Sequence, residues 1–363
     1  MKRITSIDAL RAFALLGILL IHARHGFGVS GCHYLSKIDL ALGGGCKFLL
    51  ESRCMLIFNI LFGVSFFIIL GKKDYPASKF VWRCFLLVCI GLINRLVFNS
   101  DVLFKYGLCG MALVLIRNLS NKRIIIFSIV FIIIGVVLQW LEFGSIIQIP
   151  SRYVKGGGVK HLLTSYPISL LGLAKQFLNG DFFIIFANMA IGYVLGRVGF
   201  IESMDKKLTF KQVVISLVLY CILGFIYYGC VYYRISVHPL LNKFVLNLFY
   251  YCGAAFYWLL FIWLYNHVKW FHELSLFFES YGKCGLTNYS MQGFIGIIIF
   301  YFLEIGYLKL PFTILFVYSI FFFVLQMLFS FFWLKKYKNG PFEYLWRCAT
   351  ERKWLQFKSK SLE

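Results

Sequence analysis

The chain has 363 residues, of which 60% are hydrophobic and 14% are charged. Soluble domains carry about 25% charged residues, so the composition excludes water as the main solvent of this protein. The net charge of +22 comes from Lys and Arg residues that lie between apolar runs and form no basic arm with interleaved aromatic residues. This pattern argues against a nucleic-acid partner and favours membrane lipids.

Ten apolar runs are predicted to be helices, and several reach the roughly 20 residues that a helix needs to cross a bilayer. The runs are continuous and lack the period-two alternation of an outer-membrane barrel. The sequence therefore predicts an all-α, polytopic membrane bundle of about ten transmembrane helices. The predicted helices cover residues 7–27, 48–71, 79–99, 101–117, 123–142, 181–200, 210–233, 241–267, 285–307 and 311–335.

The first run, from Ile7 to Phe27, is predicted to be a span and not a cleaved signal peptide, because it contains charged residues and lacks a small-residue cleavage site. Every second loop, counted from the N-terminus, is richer in Lys and Arg than the loops between. This asymmetry predicts that both termini are cytoplasmic. The glycine-containing segment 143–180 is then expected to be a flexible loop outside the cytoplasm.

Eleven cysteines occur without a CxxC pair, so the sequence predicts no metal site. Cys32 and Cys46 share the first long loop, which is predicted to lie outside the cytoplasm, where a disulfide can persist. Their pairing stays open, because the spacing alone gives no geometry.

The first span carries the strongest signal for a functional site, because Asp8, Arg11 and His22 interrupt an otherwise apolar helix. At about 100° per residue, the eleven-residue step from Arg11 to His22 returns to the same face while rising about 16 Å. Asp8 lies three residues before Arg11 and can pair with it. Two interpretations remain open for that pair: part of a site, or an ion pair at the headgroups.

His22 suits the role of a general base or proton shuttle, because an imidazole titrates near neutral pH. Other polar groups have structural alternatives. Asp101 opens a predicted helix and is expected to be an N-cap. Asn288 and Gln292 lie four residues apart, and hydrogen bonds between helices explain them adequately.

Several segments together resemble the bacterial YeiB family of membrane proteins, whose C-terminal half is a domain of unknown function. The likeness covers nearly the whole chain, and the last segment is the most specific. The matching segments are SIDALRAFALLGILLIH, FNILFG, IGLINRLVFNSDVLFKYG, NMAIGYVLGRVGF, LTNYSMQ and LFSFFWLKKYKNGPFEYLWRCAT.

The YeiB family is in turn distantly similar to acyltransferase 3 and other transmembrane acyltransferases, which carry Arg, ten residues, then His in their first span. Arg11 and His22 match that spacing. The resemblance implies that Arg11 contacts an acyl donor and that His22 is the catalytic base. This chain departs from the usual YeiB pattern, which has Asn at position 22 and His at position 94, so we hypothesise that His22 and Asn94 meet across the bundle.

The leading hypothesis is a bacterial inner-membrane acyltransferase that moves an acyl group, acetyl above all, from cytoplasmic acyl-CoA to a glycan or envelope acceptor outside the cytoplasm, without a metal. The alternative is a transporter or exporter of a small polar solute. One domain is expected over 1–355, with the site in 1–142, a YeiB-like half at 181–352 and a polar tail at 356–363. The candidate residues are His22, Asp8, Asn94 and Asp101 for catalysis, Arg11, Arg53 and Tyr106 for acyl-CoA, and Glu51, Asn288 and Gln292 for the acceptor.

Overall fold

The computed structural model is a bundle of α-helices. It describes residues 5–29, 33–71, 75–99, 101–150, 153–200, 204, 207–233, 237–308 and 310–357. The helices are α1 (Thr5–Arg24), α2 (Lys37–Leu49), α3 (Arg53–Leu70), α4 (Ala77–Val97), α5 (Leu103–Ile116), α6 (Asn121–Leu141), α7 (Gly158–Thr164), α8 (Tyr166–Leu178), α9 (Asp181–Arg197), α10 (Phe210–Tyr232), α11 (Pro239–His267), α12 (Lys269–Lys283), α13 (Gly285–Ile297), α14 (Phe312–Lys336) and α15 (Pro341–Glu351).

The predicted all-helical membrane fold is confirmed, and each of the ten predicted helices is present. Five further helices were not predicted: α2, α7, α8, α12 and α15. The prediction of a flexible loop over residues 143–180 is wrong, because this segment contains α7 and α8. For α2 the sequence held a usable signal, since Ser36 and Asp39 form a capping box at its start.

The number of spans is smaller than the predicted ten. Among the described residues, seven helices are long and apolar enough to cross a membrane, or up to eight if the bent pair α8 and α9 is one span. The helices α5 and α13 have 14 and 13 residues. At 1.5 Å per residue each is about 20 Å long, which is short of a hydrocarbon core of about 30 Å.

Helix α1 lies at the centre of the bundle, where it contacts α3, α11, α12, α13 and α14. Within the protein, 78% of the apolar segment of α1 is buried, compared with 17% of that of α10. A helix enclosed by neighbours can carry ionisable side chains without exposing them to lipid. The central position of α1 therefore allows the polar residues in its sequence.

Glycines let α3 and α9 pack backbone to backbone. A Cβ added at Gly63 of α3 would lie 1.9 Å from the carbonyl oxygen of Met189, and one added at Gly192 of α9 would lie 2.0 Å from the carbonyl oxygen of Ile60. Such close approach is the usual role of small residues between membrane helices. This contact holds α3 in position beside α1.

The last helix, α15, is anchored under the bundle by a buried carboxylate. Glu343 accepts hydrogen bonds from the backbone N–H groups of Leu286 at 2.6 Å and Thr287 at 3.1 Å, in the first turn of α13. The indole of Trp346 donates to the carbonyl oxygen of Arg83 at 3.0 Å. Burial raises the pKa of the Glu343 carboxyl, and its hydrogen bonds only partly offset this effect. The C-terminal helix thus ties α4 and α13 together.

We expect Gly63→Ala to destabilise the protein by about 1–3 kcal/mol, because the neighbouring atom is backbone and cannot turn aside. The thermal midpoint of the purified protein in detergent measures the effect. Gly229→Ala on α10 is the control, since an added Cβ there meets nothing within 4 Å. Equal midpoints for the two variants would contradict the packing described for α3 and α9.

We also expect Glu343→Ala to loosen α15 and to cost about 1–3 kcal/mol, because it leaves the donors at the start of α13 without an acceptor. Faster backbone hydrogen exchange over residues 341–351 and 285–290 is the measurement. The matched control is Glu273→Ala, since Glu273 is exposed on α12. Unchanged exchange in α13 would show that the carboxylate is dispensable there.

Candidate functional site

Two polar cavities lie along α1, about three turns apart. The His22 cavity has a volume of about 420 Å³, and the Arg11 cavity one of about 180 Å³. A third, larger space of about 720 Å³ is lined by apolar side chains and Cys109 and offers no polar chemistry. The His22 cavity is lined by Gly17, Ile18, Ile21, His22, Leu50, Glu51, Ser52, Cys54, Met55, Leu56, Asn59, Lys105, Gln139, Asp181, Ile184, Ile185, Lys243, Leu246, Asn247 and Tyr250.

The imidazole of His22 reaches its cavity with one nitrogen free. Its ring packs against Phe98, with 4.9 Å between the centroids, and against Tyr289 at 6.4 Å. Its Nδ1 is buried and has no hydrogen-bond partner among the described residues. A neutral imidazole nitrogen without a partner can accept a proton or donate a hydrogen bond to a bound molecule. His22 therefore lines the cavity and carries an unpartnered nitrogen, and the ring must turn to bring the buried Nδ1 to a bound molecule.

Arg11 and Asp8 form the predicted pair inside the bundle. Their ion pair is 2.6 Å long, and a second nitrogen of Arg11 donates to Ser65 at 2.9 Å. Asp8 is 5% exposed, and its backbone packs against Gly282 of α12. The enclosure by α12 places the pair within the helical bundle. Arg11 lines its cavity together with two further cations, Arg83 and Lys283.

The two cavities do not share a lining residue. Aromatic side chains lie between them: Tyr289 lines the Arg11 cavity while its ring contacts His22, and its hydroxyl accepts a hydrogen bond from the backbone N–H of Val102 at 3.0 Å. The expected column of polar residues is therefore present on α1, but Tyr289 divides the space beside it.

Asn94 and Asp101 bind each other and not His22. The Asn94 amide donates to Asp101 at 2.6 Å, and the second carboxylate oxygen of Asp101 accepts from the backbone N–H of Leu103 at 3.0 Å. The N-cap of α5 is Val102 and not Asp101 as predicted, but Asp101 accepts the backbone N–H groups of Leu103 and Phe104 in the first turn of the helix. No hydrogen bond joins Asn94 to His22, so the hypothesised pair across the bundle is not formed.

Arg53 and Tyr106 line neither cavity. The Arg53 guanidinium is fully buried among aromatic rings, 4.4 Å from the centroid of Phe249 and 5.0 Å from that of Tyr250. Cation–π contacts of this kind stabilise a buried guanidinium. Its Nη1 donates to the carbonyl oxygen of Glu51 at 2.9 Å, while Nε and Nη2 have no hydrogen-bond partner among the described residues. The Tyr106 hydroxyl donates to Asn59 at 2.5 Å. The structure thus holds both side chains in packing contacts, away from the space expected for acyl-CoA.

The three residues predicted for the acceptor are not brought together. Glu51 lines the His22 cavity and forms an ion pair with Arg24 at 3.4 Å. Asn288 donates to Ser330 at 2.9 Å, and Gln292 donates to the Tyr281 hydroxyl at 2.8 Å. The predicted hydrogen bonds between helices therefore account for the two amides, and only Glu51 reaches the cavity.

Lys105 and Asp181 were not among the residues predicted for the site. Both line the His22 cavity, Lys105 from α5 and Asp181 from the first turn of α9. Arg83 and Lys283 of the Arg11 cavity were not predicted for the site. The sequence signal that could have identified such residues is a charged residue within an apolar helix.

Of the two cysteines considered for a disulfide, Cys46 is a buried free thiol, and Cys32 lies outside the described residues.

Comparison with known proteins places the chain among proteins of undefined activity. Residues 195–353 match the family described as "Protein of unknown function (DUF418)". The uncharacterized protein YxaH of Bacillus subtilis is 25% identical, over 99% of this chain and 97% of its own length. An uncharacterized 39.9 kDa protein from the amylase 3' region of Bacillus acidopullulyticus is 26% identical, over 96% of this chain and 94% of its own length.

The uncharacterized protein YeiB of Escherichia coli is 27% identical, over 97% of both chains. The resemblance to YeiB seen in the sequence is thus confirmed over the full length. Residues 195–353 are thus similar to the DUF418 family, and over its whole length the chain is a distant homologue of YeiB and YxaH.

Proposed function

We propose that this membrane protein is an acyltransferase that takes an acyl group, acetyl above all, from cytoplasmic acyl-CoA and transfers it to a glycan or envelope acceptor in the His22 cavity of a bacterial inner membrane. The observation that carries the proposal is the pairing of two cavities on one helix. A cationic cavity lies at Arg11, and a cavity with a free imidazole nitrogen lies about 16 Å further along α1.

The Arg11 cavity suits the donor because its cations match phosphate groups. Arg11, Arg83 and Lys283 line it, together with the carboxylate of Glu343, which is held by backbone hydrogen bonds at the start of α13. Three cations thus face one carboxylate in this cavity. Guanidinium groups bind phosphate oxygens through charge-assisted hydrogen bonds in pairs. Arg83 is held for this role by the ring of Trp346, whose centroid lies 3.8 Å from the guanidinium carbon. The thioester arm of acyl-CoA would extend from here along α1, and the Tyr289 ring must turn aside to let it pass.

His22 suits the base. It would take the proton of an acceptor hydroxyl as the hydroxyl oxygen bonds to the thioester carbonyl carbon. The carbon–sulfur bond then breaks, and the proton on His22 passes to the CoA thiolate, so that free CoA and the acylated acceptor leave. Glu51 shares the cavity but forms an ion pair with Arg24, whereas the Nδ1 of His22 has no hydrogen-bond partner among the described residues.

One observation favours transport as the second candidate function. The two cavities share no lining residue, and Tyr289 separates them, as expected for a closed path through a transporter. Polar and charged side chains around α1 would then line the route of a small polar solute. Transport predicts solute movement without any dependence on acyl-CoA, which separates it from the leading proposal.

We expect His22→Ala to lower acetyl transfer by about 100-fold or more while acetyl-CoA still binds, because a general base contributes rate and not donor affinity. Transfer of labelled acetyl groups from acetyl-CoA to the glycan and lipid fraction of membrane vesicles is the measurement. His267→Ala is the control, since His267 is exposed at the end of α11. Full transfer by the His22 variant would overturn this role.

For Arg11→Ala we expect acetyl-CoA to bind about 10-fold more weakly or worse, because a charge-assisted contact is lost. Arg11→Lys should keep part of that affinity. Calorimetry on the purified protein in detergent measures the binding. Solute uptake by reconstituted vesicles that needs no acetyl-CoA, together with unchanged acetyl-CoA binding in the Arg11 variant, would favour the transporter.

A further inference from the structure

Lys105 is a buried cation without a counter-charge in contact. Its side chain lines the His22 cavity, and the residue is only 6% exposed. Among the described residues it makes no hydrogen bond and no ion pair within 4.0 Å. A lone ammonium away from water costs free energy, and proteins keep such groups where a ligand or partner uses them.

The other charges of the cavity lie beside partners. Glu51 pairs with Arg24 at 3.4 Å, and Lys243 lies 3.9 Å from Glu142. Asp181 faces the cavity from α9, but no ion pair within 4.0 Å joins it to Lys105. Lys105 and Asp181 therefore line one cavity and interact electrostatically without direct contact, and the Asp181 carboxyl also has a hydrogen bond with Gln139.

From this arrangement we infer that the acceptor in the His22 cavity is an acidic, hydroxylated molecule, whose carboxylate or phosphate contacts Nζ of Lys105 and whose hydroxyl groups donate to Asp181. The inference rests on the proposed function, since it names the class of molecule that His22 would deprotonate. Acidic sugars carry both features. A carboxylate and a phosphate offer the same negative oxygens to an ammonium group, and the probes below separate them.

The first test is the stability of the free protein. Lys105→Met keeps the length of the side chain and removes the charge, so we expect the thermal midpoint in detergent to rise by about 2 °C or more. Lys211→Met, at an exposed position of α10, is the control and should leave the midpoint unchanged. A fall in the midpoint of the Lys105 variant would show that the ammonium stabilises the fold, and it would overturn the inference.

The second test uses glucose 6-phosphate, glucuronate and glucose as probes on the full chain in detergent, without acyl-CoA. We expect one or both acidic sugars to bind at least about 10-fold more tightly than glucose, with the preference lost in Lys105→Met and partly kept in Lys105→Arg. Equal binding of the three probes, or no binding of either acid up to about 10 mM, would overturn the inference.

The two proposals fail separately. If the anion preference is absent while acetyl transfer still depends on His22, the acyltransferase stands and the acidic acceptor falls. If Lys105-dependent binding of an acid is present while no acetyl transfer is found, the cavity binds anions and the acyltransferase falls.

Discussion

The ion pair between Asp8 and Arg11 allows α1, the helix that carries both charges, to lie at the centre of the bundle. A guanidinium in an apolar interior is tolerated only with a carboxylate and further acceptors around it. Asp8 supplies the carboxylate at 2.6 Å, and Ser65 of α3 supplies the next acceptor. Gly282 lets α12 close over the backbone of Asp8. The charged turn of α1 thus fixes which helices must surround it and how near they come.

A network of polar side chains joins α12, α13 and α14, three of the helices that contact α1. Tyr281 of α12 donates to Gln326 of α14 at 3.0 Å and accepts from Gln292 of α13 at 2.8 Å. Asn288 adds a bond to Ser330. Buried amides are stable when their neighbours supply partners, so this network orients α12, α13 and α14 around α1. These residues act on the site only through the position of the helices.

The sequence predicted the helices well and the site only in part, for a physical reason. Long apolar runs identify helices without tertiary information. The helices α12 and α15 are amphipathic and contain no long apolar run, so this criterion does not identify them. Arg11, His22 and Glu51 could be found because a charge in an apolar run is conspicuous. The roles of Arg53 and Asn94 could not, because a ring cage and a carboxylate partner exist only after folding.

A partner's presence or absence separates structural charges from candidate functional ones. Asp101 accepts two backbone hydrogen bonds in the first turn of α5, which accounts for its burial. Arg53 lies among aromatic rings and donates one hydrogen bond to the carbonyl oxygen of Glu51, while its Nε and Nη2 have no hydrogen-bond partner among the described residues. The Nδ1 of His22 and the ammonium of Lys105 have no such partner, and both groups lie at one cavity. Unpartnered buried atoms also occur at Arg53 and Asn94, which do not line this cavity. What distinguishes His22 and Lys105 is that both line one space in which a ligand can supply the missing contacts. The chemistry of the protein is therefore to be sought on the His22 side of Tyr289.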